Sequence, residues 1–397
     1  MKRCLHFLFS LYCCIIVFCS CKTPDKNHIG VISIPDGIDN IGLINLSEVA
    51  KSIKYIPLET KEESLIGEIS NILYDKDHIY VVDRSGIIKI FDNEGRYLSG
   101  INRLGRGPEE YSNFMSASLV DNNIVVTAFN DVVEYDISGN FIKRVGSPKI
   151  DGYNIFFPVS LGKNSYVAPL VKALGASTED EYCVVAYDSL SNIRKMVANS
   201  GPSGAQPLGT STTNTGEVMV RIMPPTLFRH NDKIRIFCPE ALEILSIDKF
   251  DVVDTAFVID YGQYRVPDGI ITNSSAGSKH ISPLSFIESD DYIFMNMSTR
   301  ATINGTFTAN FLYDKRKMQT RVLYDNIGQK RGFKNDIDGG PGFWPQSTFG
   351  GKTLISSVSA ISMMEYQYDD TASAKIKEVV SELTENSNPV ITIVELK

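Results

Sequence analysis

Short apolar runs broken by Asp, Asn and Gly recur along most of this chain and predict a succession of β-strands. Two segments are similar to each other: IYVVDRSGIIKIFDNEGRYLSGI, which starts at Ile79, and IVVTAFNDVVEYDISGNFIKRVG, which starts at Ile124. Each has an apolar strand, a tight turn, a second strand that ends in an aromatic residue and Asp, a turn with Gly, and a third strand. Because one more strand precedes each segment, as in IGEISNILYD, the repeated unit has four antiparallel strands. Such a unit is typical of a propeller blade.

An aromatic residue followed by Asp marks the predicted end of a strand in several units. The aromatic ring is expected to pack between sheets, while the Asp carboxylate accepts backbone N–H bonds in the next turn. Gly95 and Gly139 follow at the position where a tight hairpin needs a positive φ. The pairs are Phe91-Asp92, Tyr135-Asp136, Tyr187-Asp188 and Tyr313-Asp314, with Ile247-Asp248 as a weaker member.

The repeats predict an all-β fold, a six-bladed β-propeller of four-stranded blades over residues 43–397. Residues 372–383 read as a short amphipathic helix inserted in the last blade. A ring must protect its edge strands, so Val390–Leu396 is expected to pair with residues 52–58 and close the ring. A two-domain β protein is the competing topology. The units are expected to begin near Ile66, Tyr111, Tyr153, Val218, Ser282 and Phe343.

The first twenty residues have the features of an export signal. Lys2 and Arg3 are basic, and residues 5–19 are almost wholly apolar with no acidic residue. That apolar core is too short for a permanent transmembrane helix, which needs about 20 residues. We therefore predict a signal peptide over residues 1–20 and a flexible tether over residues 21–42.

The end of this signal is similar to a bacterial lipobox. Ser20 precedes Cys21, and a polar segment follows, so Cys21 is predicted to carry the lipid. Phe18 and Cys19 depart from the usual Leu and small residue at those positions. An ordinary signal with an unmodified cysteine is the alternative.

Charge and cysteine content exclude some classes of function. The chain has 39 Lys and Arg against 47 Asp and Glu, a formal net charge of −8, which disfavours binding to nucleic acid. Cys183 and Cys238 lie in apolar strand-like runs and are predicted to be two buried thiols, with a disulfide as the alternative. No CxxC pair or His cluster indicates a zinc site, so no cofactor is expected, with calcium as a candidate ion.

Several motifs together resemble a known family. They are YIPLET at Tyr55, LIGEISNILY at Leu65, GRGPEEY at Gly105, DIDGGPGFWP at Asp336 and the terminal SNPVITIVELK. The resemblance is to six-bladed propeller lipoproteins of gut-type Gram-negative bacteria, which are relatives of NHL-repeat propellers. It implies a lipoprotein of the outer membrane that faces the periplasm or the cell surface, and it supplies no catalytic motif.

The stretch RLGRGPEEY, from Arg103 to Tyr111, is the most motif-like part of the chain. It is a poor phosphate loop, because Pro108 lacks an N–H and no helix is predicted to follow. Glu109 and Glu110 are neighbours and would point to opposite faces of an extended chain, which disfavours a glycosidase pair. With the similar GGPGFWP, it is predicted to form a corner where the outermost strand of one blade crosses to the innermost strand of the next.

In a propeller such crossings gather on one face, around the mouth of the central channel. Trp344, the only tryptophan, could stack there on a sugar or a peptide side chain, or could be a wedge between blades. The arginines could bind an acidic ligand or pair with the glutamates between them. We therefore predict a ligand site at this top face, formed by Arg103, Arg106, Glu110, Tyr111, Arg221 and Trp344.

The histidines and the common hydrolase motifs give little support to catalysis. His78 and His230 are predicted to be solvated in hairpin turns, and His280 is a candidate base or metal ligand near an inner strand. GXSXG and HExxH are not found in the sequence. We predict a lipid-anchored, monomeric envelope propeller that binds a glycan, a peptide or an envelope protein complex without turnover, and that touches the membrane only through its lipid. The alternative is a lyase or hydrolase that acts on a glycan or peptide in the central channel, with calcium as a candidate cofactor.

Overall fold

Strands make up most of the computed structural model of this protein. The described residues are 29–173, 176, 181–199, 209–212, 218–221, 224–238, 241–265, 280–303, 306–323, 332–370 and 372–397. The N-terminal part contains β1 (Gly30–Ser33), α1 (Ile34–Asp39), β2 (Ile41–Gly42) and β3 (Ala50–Pro57).

The first three blades are four-stranded antiparallel meanders. Blade 1 contains β4 (Ile69–Tyr74), β5 (His78–Asp83), β6 (Ile88–Asp92) and β7 (Tyr97–Ile101). Blade 2 contains β8 (Ser116–Val120), β9 (Asn123–Thr127), β10 (Asp131–Asp136) and β11 (Phe141–Gly146). Blade 3 follows β12 (Tyr153–Ile155) and contains β13 (Val159–Gly162), β14 (Ser165–Lys172), β15 (Tyr182–Asp188) and β16 (Ile193–Ala198).

A separate two-stranded hairpin precedes the last three blades and consists of β17 (Gly209–Thr212) and β18 (Val218–Arg221). Blade 4 contains β19 (Thr226–His230), β20 (Lys233–Phe237), β21 (Glu243–Asp248) and β22 (Val253–Asp260). Blade 5 contains β23 (Ile281–Glu288), β24 (Tyr292–Ile303), β25 (Thr306–Asp314) and β26 (Gln319–Leu323). Blade 6 contains β27 (Ser347–Phe349), β28 (Thr353–Val358), α2 (Ala360–Met364), α3 (Ala374–Ser381) and β29 (Val390–Leu396).

The ring closes as the sequence predicts. β27 contacts the innermost strands of both neighbouring blades, β23 and β4, and β4 contacts β8. In blade 6, β29 pairs with β28 on one side and with β3 on the other, in a register that runs from Val390 opposite Pro57 to Glu395 opposite Ser52. The six-bladed propeller and its closure by the two chain ends are therefore confirmed, and α3 confirms the predicted helix.

The two faces of the ring are distinguished by their connections. Because the strands of a blade are antiparallel, the first-to-second and third-to-fourth turns lie on one face, which we call the turn face. The second-to-third connections and the crossings between blades lie on the opposite face, which we call the crossing face. The crossing face corresponds to the top face of the sequence prediction.

The aromatic-Asp strand ends behave as predicted. Asp92 accepts hydrogen bonds from the backbone N–H groups of Glu94 and Arg96, both at 2.9 Å, and the other four Asp residues bind the turns that follow them in the same way. Gly95 and Gly139 have φ values of 87° and 84°, which a residue with a Cβ rarely adopts. The five preceding side chains are buried: Phe91, Tyr135, Tyr187, Ile247 and Tyr313.

The N-terminal segment runs along the outer edges of three blades. β1 pairs in parallel with β22 of blade 4, β2 pairs in parallel with β26 of blade 5, and β3 completes blade 6. Gly30 allows this close approach, because a Cβ there would lie 2.8 Å from the Tyr313 hydroxyl and 3.0 Å from Phe257. The predicted tether over residues 21–42 is therefore too long, since residues 30–42 belong to the propeller. The predicted signal peptide and Cys21 lie outside the described residues.

Two predicted blade boundaries are also wrong. Val218 was expected to begin the fourth blade, but β18 pairs with β17, and the blade begins at Thr226. Pro224 and Pro225 separate the two strands, and proline cannot donate to a sheet. Tyr153 lies in β12, which pairs with β14 outside the meander, so the innermost strand of blade 3 begins later. No helix within the described ranges is long and apolar enough to cross a membrane.

Candidate functional site

The RLGRGPEEY segment is the crossing between β7 and β8, as predicted, and it is closed by its own hydrogen bonds. Gly107 N donates to Glu110 Oε2 at 2.8 Å, Tyr111 N donates to Arg103 O at 2.8 Å, and Gly105 N donates to Tyr111 O at 3.0 Å. A Cβ on Gly105 would clash with the Glu110 carboxylate, which lies directly against this glycine. The Glu110 carboxylate therefore holds the turn together.

Hydrogen bonds to blades 1 and 2 hold this crossing in place. Tyr111 is fully buried and its hydroxyl donates to Gly86 O at 2.7 Å; burial raises the pKa of Tyr111 to about 12. The Tyr135 hydroxyl donates to Glu109 O at 2.7 Å, and the Arg144 side chain binds other carbonyl groups of the segment. Tyr111 is thus a packing residue of the corner.

The two arginines of the crossing are more accessible. Arg106 is exposed and Arg103 is half-buried. Among the described residues, neither guanidinium forms an ion pair with Glu109 or Glu110. Both cations remain able to meet a ligand on the crossing face.

Trp344 lies in the second Gly-Pro crossing, between β26 and β27. Its indole stacks on Phe333, with ring centroids 6.0 Å apart, and meets the edge of Phe294 at 5.6 Å. The same indole is partly accessible and borders a cavity of about 280 Å³, which we call the Trp344 cleft. The cleft is lined by Tyr55, Pro341, Gly342, Phe343, Trp344, Gln346, Ser356, Ser357, Val358 and Thr392. Trp344 is therefore both a wedge between blades and part of a cavity wall.

The polar groups of the Trp344 cleft are hydroxyls and one amide. Ser356, Thr392 and Tyr55 lie directly opposite one another across β28, β29 and β3. Ser357 Oγ donates to Gln346 Oε1 at 2.9 Å. Thr392 Oγ1 is buried and has no hydrogen-bond partner in the described part of the chain. A buried hydroxyl without a partner is unfavourable unless something supplies one.

Tyr55 also fixes the Gly-Pro crossing that forms one wall of the Trp344 cleft. Its hydroxyl accepts a hydrogen bond from Asn335 Nδ2 at 2.8 Å and lies 3.3 Å from Asp338 Oδ1. Asp338 also accepts a bond from Gly340 N at 3.1 Å. Burial, assisted by the negative charge of Asp338, raises the pKa of Tyr55 far above its ordinary range. The Tyr55 hydroxyl therefore keeps its proton.

The predicted site residues do not form one cluster among the described residues. Arg103, Arg106, Glu110 and Tyr111 belong to the crossing between blades 1 and 2, whereas Trp344 packs against blade 5 and borders blade 6. Arg221 was expected at the start of blade 4 but lies in the β17–β18 hairpin, because that strand pairs outside the ring. The two Gly-Pro crossings are thus equivalent corners at different places around the ring.

Comparison with known proteins identifies the family. Residues 29–395 match the family described as a domain of unknown function, DUF4934. The chain belongs to this family. A search of curated proteins gave no match.

Solved structures similar to this DUF4934 chain support its fold. A protein from Bacteroides fragilis NCTC 9343 for which export is proposed gives a TM-score of 0.64 at 16% identity, over 92% of this chain and 99% of that one. A DUF4221 member from Bacteroides vulgatus ATCC 8482 gives 0.45 at 11% identity, over 88% and 97% of the two chains. Virginiamycin B lyase from Staphylococcus aureus gives 0.37 at 11% identity, over 86% and 99%. The first bears on the fold alone, and the other two are too distant to carry an argument.

The DUF4934 structure also contains a buried ion network that the sequence analysis missed. Glu288, at the end of β23, is fully buried and accepts two bonds from Arg235, at 2.7 and 2.8 Å, and one from Lys315 Nζ at 2.7 Å. His230 lies beside it, with Nδ1 3.3 Å from Glu288 O. The network joins blades 4 and 5, so its members come together only when the ring forms.

Opposing influences set the protonation of this network. Burial acts to raise the pKa of Glu288, but the bonds from Arg235 and the charge of Lys315 outweigh it and hold that pKa below its ordinary value. Burial lowers the pKa of Lys315 although Glu288 opposes the change; direct contact with an ionised carboxylate keeps the pair charged at neutral pH. Burial lowers the pKa of His230, whose side chain is mostly buried, so the prediction that it is solvated is wrong.

A second cavity, of about 440 Å³, lies beside this network on the turn face. Arg235 borders it, but its guanidinium is already bound to Glu288 and to Ser246 Oγ at 2.8 Å. The lining residues are His230, Asn231, Asp232, Lys233, Arg235, Asp248, Lys249 and Phe250. The ion network therefore serves mainly to join the blades.

The remaining candidate groups, two thiols and one imidazole, belong neither to the Trp344 cleft nor to the ion network. Cys183 and Cys238 are free and buried in one core cluster, which confirms the two predicted thiols; their hydrogen bond and burial raise the pKa of Cys238. His280 Nδ1 is buried without a hydrogen-bond partner in the described segments. Within those segments no group of three or more His, Cys, Asp or Glu side chains could hold a metal ion.

Proposed function

We propose that this protein is a binding protein whose Trp344 cleft takes a neutral, hydroxyl-rich ligand such as a sugar unit of a glycan. The observation that carries the proposal is the lining of the cleft. It combines a partly accessible indole with hydroxyl and amide groups, and none of the described residues that line it carries a charged side chain. Aromatic stacking and hydroxyl hydrogen bonds suit a sugar ring, which has apolar faces and polar edges.

Thr392 supports a ligand with hydrogen-bonding groups. Its Oγ1 is buried in the cleft wall and has no hydrogen-bond partner among the residues that the structure describes. A ligand hydroxyl could complete that bond. The cavity, at about 280 Å³, lies near the lower end of the size range of ligand sites, so the ligand is a small molecule or the end of a longer chain.

The lining supports binding without turnover. Tyr55 is the ionisable side chain among the described lining residues, and burial together with the charge of Asp338 raises the pKa of Tyr55 far above neutral. General acid–base catalysis works best with a group whose pKa lies near the working pH. The groups of the cleft are therefore suited to hold a ligand rather than to move its protons.

The location belongs to the same proposal. A basic start, an apolar core and the Ser20-Cys21 sequence support export of the chain and lipidation at Cys21. The protein would then be a lipoprotein of the outer membrane, similar to NHL-like propellers, with its ligand drawn from the envelope or the surroundings. Conversion of Cys21 to Ser should release the protein from membranes.

Trp344 offers a direct binding assay, because it is the only tryptophan. Titration of the full chain with neutral oligosaccharides should change its fluorescence saturably. Thr392→Val removes the unpartnered hydroxyl and should weaken binding about tenfold, the worth of one hydrogen bond, without loss of stability. Thr320→Val is the matched control, since Thr320 Oγ1 is also buried and unpartnered but lies in β26, outside the cleft. Equal affinities of the two variants, or saturation only by charged ligands, would contradict the proposal.

A further inference from the structure

The turn face carries an arc of exposed apolar side chains. The third-to-fourth turns of blades 2, 3, 4 and 5 each present one, and the equivalent turn of blade 1, residues 93–96, is polar. Single exposed apolar residues are ordinary, but equivalent positions in four consecutive blades form one surface. The side chains and their exposed fractions are Ile137 41%, Leu190 80%, Phe250 75% and Met318 60%.

β1, the first strand of the propeller, points away from this arc. β22 starts directly after the turn that contains Phe250 and runs away from the turn face. β1 is parallel to β22, with Gly30 opposite Phe257, so the N-terminal end of β1 faces the turn face. Gly30 lies about 13 Å above that turn, from the rise per residue of a strand.

The length of the preceding segment limits where a lipid anchor can lie. From Cys21 to Gly30 the chain spans at most about 30 Å, even when fully extended. Because Gly30 lies about 13 Å from that turn, Cys21 can lie at most about 20 Å beyond the turn face. A lipid on Cys21 would therefore hold the apolar arc close to the bilayer.

Basic side chains accompany the apolar tips. Lys249 Nζ lies 5.4 Å from the Phe250 ring centroid, and Arg316 and Lys317, in the turn that contains Met318, are largely exposed although they pair with Asp291 and Asp314. Apolar tips flanked by cations suit the boundary between lipid phosphates and acyl chains. The first-to-second turns on the same face carry Asp77, Asp121, Asp232 and Asp290. These carboxylates disfavour a strongly anionic surface, so the favoured partner is a zwitterionic bilayer.

We propose that the turn face rests on a lipid bilayer, with Leu190, Phe250 and Met318 inserted at its surface, and that the Trp344 cleft points away from the membrane. This orientation depends on the anchoring at Cys21 in the proposed function. It departs from the expectation that the lipid is the only membrane contact. A propeller held this way keeps its crossing face open to ligands.

Two tryptophan reporters test the orientation. The full-length, membrane-anchored protein is reconstituted in phosphatidylcholine vesicles whose acyl chains carry bromine, which quenches nearby indoles. Trp344 of the wild-type protein reports on the crossing face, and the double variant Phe250→Trp, Trp344→Phe reports on the turn face. Bromine should reduce the fluorescence of the double variant strongly and leave that of the wild-type protein unchanged.

Further substitutions show whether the arc itself makes the contact. In the double variant, adding Leu190→Ser and Met318→Ser should reduce the quenching. Ile361→Ser is the matched control, because Ile361 is an exposed apolar residue of α2 on the crossing face, and quenching should persist.

The outcomes separate the orientation from the rest of the proposed function. Equal quenching of the two reporters, quenching of Trp344 alone, or no quenching in an anchored protein would overturn the orientation. Failure of the wild-type protein to sediment with vesicles would overturn both the anchoring and the orientation. Neither result bears on the sugar titrations of the Trp344 cleft.

Discussion

Replacing Glu288 by Gln removes the negative charge that holds the ion network between blades 4 and 5 together. Glu288 is fully buried and is bound by Arg235 at 2.7 and 2.8 Å and by Lys315 at 2.7 Å. Gln has nearly the same shape, so the change leaves two buried cations without a counter-charge rather than a cavity. Removal of one partner from a buried ion pair destabilises a protein by about 3–5 kcal/mol. We expect Glu288→Gln to fall in that range at neutral pH.

The difference between wild type and variant should depend on pH. The folded-state pKa of Glu288 lies below its ordinary value of 4.5, so the carboxylate stabilises the fold fully above about pH 4.5. That contribution is lost as the pH falls through the lower folded-state pKa, because the folded protein must then take up the proton. The two unfolding free energies should therefore converge in acid.

Urea unfolding followed by the fluorescence of Trp344 measures both effects. With a slope of about 3 kcal/mol per molar urea, the midpoint at pH 7 should fall by about 1 M or more. Glu68→Gln is the control, since Glu68 pairs with Arg84 at 2.7 Å on the surface and should change stability by less than about 1 kcal/mol. Two results would refute the reasoning. One is an equal decrease in the free energy of unfolding in both variants, and the other is a decrease for Glu288→Gln that stays the same in acid.

Three further perturbations test the corners and the core. Gly105→Ala should destabilise the protein by about 1 kcal/mol in urea unfolding, because its Cβ would displace the Glu110 carboxylate from its hydrogen bond with Gly107 N; a stability equal to wild type would show that the corner can rearrange. Tyr55→Phe should lower stability by about 1 kcal/mol, since it removes the hydroxyl that binds the second Gly-Pro crossing, and an unchanged melting curve would contradict that role. Peptides that contain Cys183 or Cys238 should remain unmodified by iodoacetamide in the native protein and react after unfolding; native modification detected by mass spectrometry would contradict their burial.

The parts of the fold that depend on local chemistry could be predicted from the sequence. Asp92 forms its turn within five residues, so the Asp that ends the strand is visible in the sequence of blades 1 to 5, with the turn glycine in blades 1 and 2. The closure of the ring was predictable too, because a strand at each chain end has no other partner. The repeated units and the closure by the two chain ends together predict six blades.

The parts that depend on contacts between distant segments could not be predicted. β1 and β2 are short and have no clear apolar period, so their pairing with blades 4 and 5 is not visible in the sequence. Glu288 and Arg235 belong to different blades, and nothing near either residue in the chain indicates the other. Val218 begins an apolar run like that of a blade strand, which explains the error in the fourth blade.

The candidate site was recovered only in part, for the same reason. Trp344 was recognisable as the single tryptophan beside a Gly-Pro corner. Its partners in the cleft, Ser356 and Thr392, come from β28 and β29, and their shared surface depends on the register of blade 6. Glu110 and Tyr111 were chosen for their chemistry, but the structure uses them to close and pack a turn.

A crystal structure of the protein with a neutral oligosaccharide that saturates the Trp344 fluorescence would test the central claim most directly. The proposed function predicts a sugar ring against the Trp344 indole, with one hydroxyl within about 3 Å of Thr392 Oγ1. A sugar bound in the central channel near His280, or in the cavity beside His230, with the Trp344 cleft free of ligand, would contradict it.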